Sequence, residues 1–189
     1  WSINPEHPPL LKTLFGLSHW LLYQKLHIFS EEGTSFRFPG MLLSALGVGV
    51  VFAWGSAATS RRAGLFAALA YGFVPTTFYH AHLTCFDAPI ASLWVAVAYA
   101  FWLSLHGLPE RRARWGIATG VLFGLSLASK HNSWFLPIAF GLYAVASRGR
   151  ALPHDLRAGA FPIPRAMVWM LVLGPPVLVG LWPLLWWDG

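Results

Sequence analysis

The chain has 189 residues, of which 56% are hydrophobic and 11% charged, and its formal net charge is +6. Charged residues make up about a quarter of an ordinary soluble domain, so this composition excludes one and predicts an integral membrane protein. The positive charge does not indicate a nucleic-acid partner, because nearly all of the excess is arginine in loops, where it sets topology and meets anionic membrane lipids. The single cysteine, Cys85, cannot form an intramolecular disulfide and receives no role from the sequence.

Residues 1–35 differ from the rest because polar side chains interrupt their apolar run. Pro5, Pro8 and Pro9 make the entry stiff and extended. Residues 10–29 predict one or two amphipathic helices on the outer membrane interface. Residues 31–34 are expected to form a polar turn before the first membrane crossing.

Residues 36–189 predict an all-α bundle of about six membrane crossings, since a bilayer core of about 30 Å needs roughly 20 apolar residues in a helix. The crossings are expected at about 40–58, 63–79, 88–105, 115–129, 133–147 and 166–187. Gly174-Pro175-Pro176 is expected to kink or break the last of them. Gly116, Gly120 and Gly124 form a small-residue stripe that predicts close packing against a neighbouring helix.

Residues 116–146 are interpreted as two crossings divided at Lys130-His131-Asn132. A single helix of this length would measure about 46 Å at 1.5 Å per residue, which is too long for the bilayer. It would also place two arginine-rich loops on opposite sides of the membrane.

Nine of the ten arginines lie in three loops, and short loops rich in Lys and Arg stay on the cytoplasmic side. The other loops then share the opposite side, where the chain collects acids, histidines and a lysine. These residues are Glu6, His7, His80, His82, Asp87, Lys130, His131 and Asp188. A membrane protein that gathers reactive groups on one face is expected to act there.

Two acids on that side are candidate general bases. Glu6 precedes His7-Pro8-Pro9, whose rigid backbone would present the acid and the imidazole at fixed geometry, although a helix start explains the same pattern. Asp87 begins a predicted crossing, and a helix N-cap with Pro89 in the first turn explains it on local grounds. A functional role for Asp87 therefore requires that other polar groups lie near it on the same side of the membrane.

Lys130 and Arg37 are candidate contacts for a phosphate group. Lys130 ends an apolar helix, where the helix dipole alone favours a cation, but an ammonium in a low-dielectric mouth also attracts an anion strongly. Arg37 is the only arginine on the outer side. It serves there either as an interface anchor, the simpler interpretation, or as a second phosphate contact.

His80 and His82 raise the question of a metal. Residues i and i+2 point to nearly opposite faces of a helix, so the two histidines could chelate one ion only from an extended segment. Interfacial histidines without a metal are the simpler interpretation. In the metal interpretation, Glu6 is the expected additional ligand and a divalent metal is the candidate cofactor.

Together these residues describe an outer-leaflet pocket whose cations hold a phosphate and whose acids accept a proton. That combination suits transfer of a group from a phosphate-bearing lipid to an acceptor hydroxyl. The departing phosphate needs its developing negative charge stabilised, and the hydroxyl has to lose a proton.

Four motifs in this order resemble the GT-C glycosyltransferases, in particular the protein O-mannosyltransferases and the lipid A aminoarabinose transferases of glycosyltransferase family 39. They are Glu6-His7-Pro8-Pro9-Leu10, Arg37-Phe38-Pro39, Phe86-Asp87-Ala88-Pro89 and Gly124-Leu125-Ser126-Leu127-Ala128-Ser129-Lys130. The resemblance implies an inverting enzyme in the bacterial inner membrane. It implies transfer of a sugar from a polyprenyl-phosphate donor to a protein or lipid acceptor outside the cytoplasm.

The resemblance also implies roles for single residues. His7 contacts the donor phosphate, Asp87 lines the active cavity with Lys130 close to it, and Glu6 lies near a metal. His82 and His131 are expected to line the cavity too.

At position 131 relatives often have glycine, so the larger His131 is expected to narrow the cavity. The family's catalytic base, which is an acidic residue, and its first membrane helix would precede Trp1. We therefore expect the chain to be the N-terminal part of a longer enzyme, without that helix, and to be inactive alone.

Two other classes of protein fit the same features. A transporter or flippase would use the Gly174-Pro175-Pro176 break in a moving helix, and a non-catalytic membrane subunit would use the helices for assembly. A transporter needs ionisable residues near mid-membrane on several helices. The interiors of the predicted crossings are almost free of them, which favours the enzyme.

Overall fold

The computed structural model describes residues 7–149, 157 and 163–182, and these residues form helices joined by short turns, with no strand among them. The N-terminal part contains α1 (Leu10–Ser18), which continues as a π-helical segment (His19–Lys25). The remaining elements are α2 (Glu32–Ala58), α3 (Arg61–Phe73), α4 (Pro75–Ala81), α5 (Asp87–His106), a 3₁₀ turn (Pro109–Arg111), α6 (Arg112–Leu127), a second 3₁₀ turn (His131–Trp134), α7 (Phe135–Arg148) and α8 (Arg165–Leu181). The predicted all-α class is confirmed for the described residues.

The first long helix, α2, begins earlier than the sequence predicted. It starts at Glu32, so most of the expected polar turn at 31–34 is helical, and Arg37 and Pro39 lie inside the helix. A carboxylate in the first turn is favoured by the positive end of the helix dipole, which accounts for a start at Glu32.

Pro39 links α2 to α1. Proline has no N–H to donate to the carbonyl four residues earlier, which is that of Ser35. The hydroxyl of Ser18, at the end of α1, donates to this carbonyl at 2.6 Å, and both serines are buried. The N-terminal helix thereby satisfies the backbone group that the proline leaves unpaired.

The prolines at two other places in the chain act differently from each other. The predicted crossing at 63–79 is divided, because Val74 is extended (φ −57°, ψ 123°) before Pro75 and separates α3 from α4. By contrast, α8 continues through Pro175 and Pro176, so of the expected kink or break the break does not occur. Packing of α8 against α6 holds it through this region, where an added Cβ on Gly174 would lie only 2.7 Å from the Phe123 ring.

The helices α6 and α8 pack closely and run in the same direction. Gly116 faces Trp169, Gly120 faces the backbone of the same residue, and an added Cβ on Gly124 would lie 2.5 Å from the Cβ of Val177. The glycine stripe therefore forms the contact surface with α8, as predicted.

The core of the bundle joins α5, α6, α7 and α8. The rings of Phe101 and Phe140 stack with centroids 4.3 Å apart, and His106 bonds to the Tyr143 hydroxyl at 3.1 Å, so α5 and α7 are parallel. The buried core residues are Val97, Phe101, Phe123, Leu127, Phe140, Ala166 and Met170.

These directions give the bundle two distinct ends. At the arginine end, which we define by Arg61, Arg112 and Arg165, the helices α3, α6 and α8 begin. At the opposite end, which we call the Asp87 end, α5 begins and α6 finishes shortly before Lys130.

Two described helices, α2 with 27 residues and α5 with 20, are long and apolar enough to cross a membrane. The helices α3, α6, α7 and α8 have 13, 16, 14 and 17 residues. At 1.5 Å per residue they measure roughly 20–26 Å, less than a bilayer core of about 30 Å. Six crossings therefore remain a prediction.

Candidate functional site

The fold brings together Asp87 and Lys130, which are 43 residues apart in the chain. The Lys130 ammonium donates to Asp87 Oδ1 at 2.7 Å. Asp87 is the first residue of α5, while Lys130 follows α6 in an extended conformation, its N–H donating to the Ser126 carbonyl at 3.0 Å. The start of one helix and the end of its antiparallel neighbour thus place the two charges side by side.

The carboxylate of Asp87 is not used as a helix cap. The N-cap position of α5 is Phe86, and no side chain caps the helix there. The Asp87 and Lys130 side chains remain 57% and 27% exposed, and an ion pair at such exposure contributes only about 0–1 kcal/mol to stability. The pair therefore contributes little to the stability of the fold. Its exposure also leaves it accessible to a ligand.

His7 lies beside this pair because the N-terminal segment docks onto the end of α6. The Leu10 N–H donates to the Ala128 carbonyl at 3.1 Å, and Pro8 and Pro9 are fully buried. The His7 ring lies 5.1 Å from that of Phe86, which is next to Asp87 in the chain, and His7 is close enough to the Asp87 carboxylate for an electrostatic interaction. Three of the predicted site residues thus share one end of the bundle.

The other predicted site residues have different surroundings. Arg37 is exposed on α2, and within the described residues no hydrogen bond or ion pair joins it to Asp87 or Lys130. Exposed His131 places its ring 5.3 Å from that of Trp182, at the end of α8. Glu6, predicted as a base and metal ligand, lies outside the described residues.

His82 is directed away from the Asp87–Lys130 pair. Its Nδ1 donates to the Phe78 carbonyl at 2.7 Å, one turn earlier in α4, and the two rings lie 4.5 Å apart. It borders a separate, mostly apolar groove of about 220 Å³ between α2, α3 and α4.

Cys85, which received no role in the sequence analysis, lies next to the site. Its Sγ is 3.9 Å from Nδ1 of His80, and the two residues form a compact group with Asp87. The sequence does place His80, Cys85 and Asp87 within eight residues of one another. This spacing brings their side chains together only if the loop folds back on itself, which the sequence does not show.

The described residues form a helical bundle that has two apolar helices of membrane-spanning length and an accessible ammonium–carboxylate pair at one end, as in a helical membrane protein with a polar site. The chain belongs to the dolichyl-phosphate-mannose-protein mannosyltransferase family, whose model matches residues 7–179. It is thus a member of a membrane glycosyltransferase family, and the resemblance inferred from the four motifs is confirmed.

The fold is similar to the crystal structure of ArnT from Cupriavidus metallidurans bound to undecaprenyl phosphate, with a TM-score of 0.69 and 21% sequence identity. The match covers 93% of this chain and 31% of that protein, so the chain spans about a third of the length of its structural relative. No curated protein sequence matches the chain significantly.

Proposed function

We propose that this chain forms part of the active site of an inverting glycosyltransferase that moves a sugar from a polyprenyl-phosphate donor to a protein or lipid acceptor on the non-cytoplasmic face. The observation that carries the proposal is the accessible Asp87–Lys130 pair with His7 beside it. Support for the donor class comes from the family description, which names dolichyl-phosphate mannose, and from the undecaprenyl phosphate in the structural relative.

Lys130 is proposed as the principal phosphate contact. Its ammonium is partly buried at the end of α6 and already makes a charge-assisted hydrogen bond to an anion, the Asp87 carboxylate. A donor phosphate presents the same kind of oxygen and can share or replace that partner. His7 is proposed as a second contact, and Arg37 as a third, reached from α2.

Asp87 and Glu6 are the proposed catalytic carboxylates. In the proposed step the acceptor hydroxyl gives its proton to a carboxylate and its oxygen forms a bond to the anomeric carbon, while the bond from that carbon to the phosphate oxygen breaks. The polyprenyl phosphate leaves with the electron pair, and the ammonium of Lys130 stabilises the charge that develops on it. Attack from the face opposite the phosphate inverts the anomeric carbon.

The non-cytoplasmic location is supported by the arrangement of the helices. The arginine end and the Asp87 end are opposite ends of the bundle, and arginine-rich loops stay in the cytoplasm. We propose that the Asp87 end, with His82 and His131 at its periphery, opens on the outer face of a bacterial inner membrane.

The test is a sugar-transfer assay on the full-length protein carrying Asp87→Asn or Lys130→Ala. Each substitution is expected to lower the turnover rate by about a hundredfold or more, since general-base catalysis and charge stabilisation each contribute at least about that factor. Glu110→Gln removes a carboxylate at the arginine end and serves as the matched control. Full activity in both site variants, with normal helical content, would remove the two residues from the catalytic site.

A further inference from the structure

The loop between α4 and α5 gathers three side chains with metal-ligand chemistry: His80, Cys85 and Asp87. Their ligand atoms, an imidazole nitrogen, a thiol sulfur and a carboxylate oxygen, all lie within 4.8 Å of one another. We propose that these three residues form a binding site for a divalent transition metal, with zinc as the preferred ion.

Local backbone geometry accounts for the cluster. At the end of α4 the His82 N–H donates to the Tyr79 carbonyl at 3.2 Å and the Leu83 N–H donates to the His80 carbonyl at 3.3 Å, so the chain turns back on itself. The turn carries Cys85 to His80, where its Sγ donates to the His80 carbonyl at 3.3 Å. Because α5 begins two residues later, the Asp87 carboxylate joins them.

The distances are close to those of a tetrahedral site. Zinc bonds of about 2.0–2.3 Å to nitrogen, oxygen and sulfur place the ligand atoms about 3.3–3.8 Å apart. Cys85 Sγ and His80 Nδ1 are 3.9 Å apart, and the largest separation in the cluster is at most 4.8 Å. Asp87 is exposed and the other two residues are half-buried, and the proposed site requires their side chains to rotate so that the cluster contracts around an ion.

The donor set favours zinc over the hard cations. Thiolate and imidazole are ligands for zinc and its transition-metal neighbours, whereas magnesium and calcium take oxygen ligands almost exclusively. Three protein ligands leave a fourth position open for water or a ligand oxygen. The Asp87 carboxylate has two oxygens, so it can bind the ion and still accept from Lys130.

A bound ion would add positive charge beside the Asp87–Lys130 pair. Metal binding itself does not require the proposed sugar transfer, and it can be measured without a sugar donor or an acceptor. Failure of the transferase proposal and failure of the metal proposal are therefore separate results.

His82 provides the matched control for the ligand set. It is two residues from His80, but its Nδ1 donates to the Phe78 carbonyl and its ring borders the groove between α2, α3 and α4. The structure therefore distinguishes the proposed set from the pair His80 and His82, which the sequence alone left open.

The chain purified in detergent is titrated with Co²⁺, and the absorption from thiolate-to-cobalt charge transfer is recorded. Because the chain has one cysteine, such a band can come only from Cys85. The expected result is saturation near one equivalent and loss of the band when Zn²⁺ is added. Cys85→Ser should abolish the band, and His80→Ala should weaken binding at least about tenfold, whereas His82→Ala should leave binding unchanged.

Wild-type protein supplies a second measurement that does not depend on variant folding. Zn²⁺ should slow modification of Cys85 by a maleimide, and a chelator should restore the original rate. No thiolate band, or no protection of Cys85 by Zn²⁺, in protein with normal circular dichroism would overturn the proposal. Loss of the band in His82→Ala but not in His80→Ala would also overturn it, because the ligand set would be wrong.

Discussion

The carboxylate of Asp87 and the ammonium of Lys130 form an accessible pair whose two members are available to different ligands. Such a pair costs little to open, since its contribution to stability is only about 0–1 kcal/mol. A phosphate that approaches Lys130 therefore competes with a weakly held partner. The opened pair also leaves the carboxylate free to accept a proton.

We predict that Lys130→Ala weakens binding of undecaprenyl phosphate to the detergent-solubilised protein about tenfold or more. A hydrogen bond to a charged group contributes about 1.5–3 kcal/mol, which accounts for a change of this size. Isothermal titration calorimetry measures the affinity. The control is Lys25→Ala, which removes an exposed lysine that lies over the Trp20 ring. Equal affinity in Lys130→Ala and wild type would exclude this lysine as a phosphate contact.

A second prediction concerns Ser18, Ser35 and Pro39. Ser18→Ala should lower the free energy of unfolding by about 1–3 kcal/mol, because the Ser35 carbonyl then loses its partner in a buried position. Adding Pro39→Ala should recover much of this loss, since alanine supplies the missing N–H within α2.

Unfolding in detergent with increasing denaturant, followed by circular dichroism, measures both variants. Ser30→Ala, an exposed serine between the two helices, is the control. If the double variant is as unstable as Ser18→Ala alone, the Ser18 hydroxyl does not substitute for the helical bond.

At this scale the sequence could predict which residues share a face but not how their side chains pair. The predicted membrane side of each loop was enough to place His7, Asp87 and Lys130 on the same face. Whether Asp87 caps its own helix or pairs with Lys130 depended on where α6 ends, because that end positions Lys130. Charge patterns in a sequence do not define the end of a helix so closely. Cys85 was missed because its approach to His80 results from a turn of the backbone.

At the scale of helices, prolines illustrate why local rules predict some boundaries and fail at others. Pro75 ends α3 through its effect on the preceding residue, although the crossing predicted at 63–79 ran through this position. Pro175 and Pro176 leave α8 continuous, because tertiary packing against α6 outweighs the local penalty. The division between α6 and α7 at Lys130 was predictable, since it followed from bilayer thickness and arginine placement together.

We predict that Gly120→Ala and Gly49→Ala have opposite consequences, although both glycines lie inside long helices. A Cβ at Gly120 would collide with the backbone of Trp169 in α8, whereas a Cβ at Gly49 meets nothing within 4 Å. Gly120→Ala should cost about 1–3 kcal/mol, the usual range for overpacking. Gly49→Ala should be neutral or stabilising by up to about 1 kcal/mol through helix propensity.

Thermal unfolding of both variants in the same detergent gives the comparison. Equal stability of Gly120→Ala and wild type would mean that α6 and α8 do not approach as closely as described.

At the scale of the whole molecule, the two ends of the bundle differ in charge and in chemistry. Arginines mark the end where α3, α6 and α8 begin, and the ionic pair with His7 marks the other. For an enzyme that uses a lipid-linked donor, this polarity would hold the donor phosphate at one membrane surface while its chain remains among the lipids.

The single cysteine allows a direct test of this orientation. Cys85 is half-buried at the Asp87 end and should react with a membrane-impermeant maleimide added to the non-cytoplasmic side of sealed vesicles, with a chelator present. A Cys85→Ser, Thr59→Cys variant moves the thiol to an exposed position at the arginine end and should react only from the cytoplasmic side. Labelling of both positions from the same side would contradict the proposed topology.

The hydrogen bond between the Leu10 N–H and the Ala128 carbonyl has a mechanical consequence. It joins the segment that carries His7 to the segment that carries Lys130, so the two segments are held together at this point. A change that displaced the N-terminal segment would break this bond and separate His7 from the Asp87–Lys130 pair.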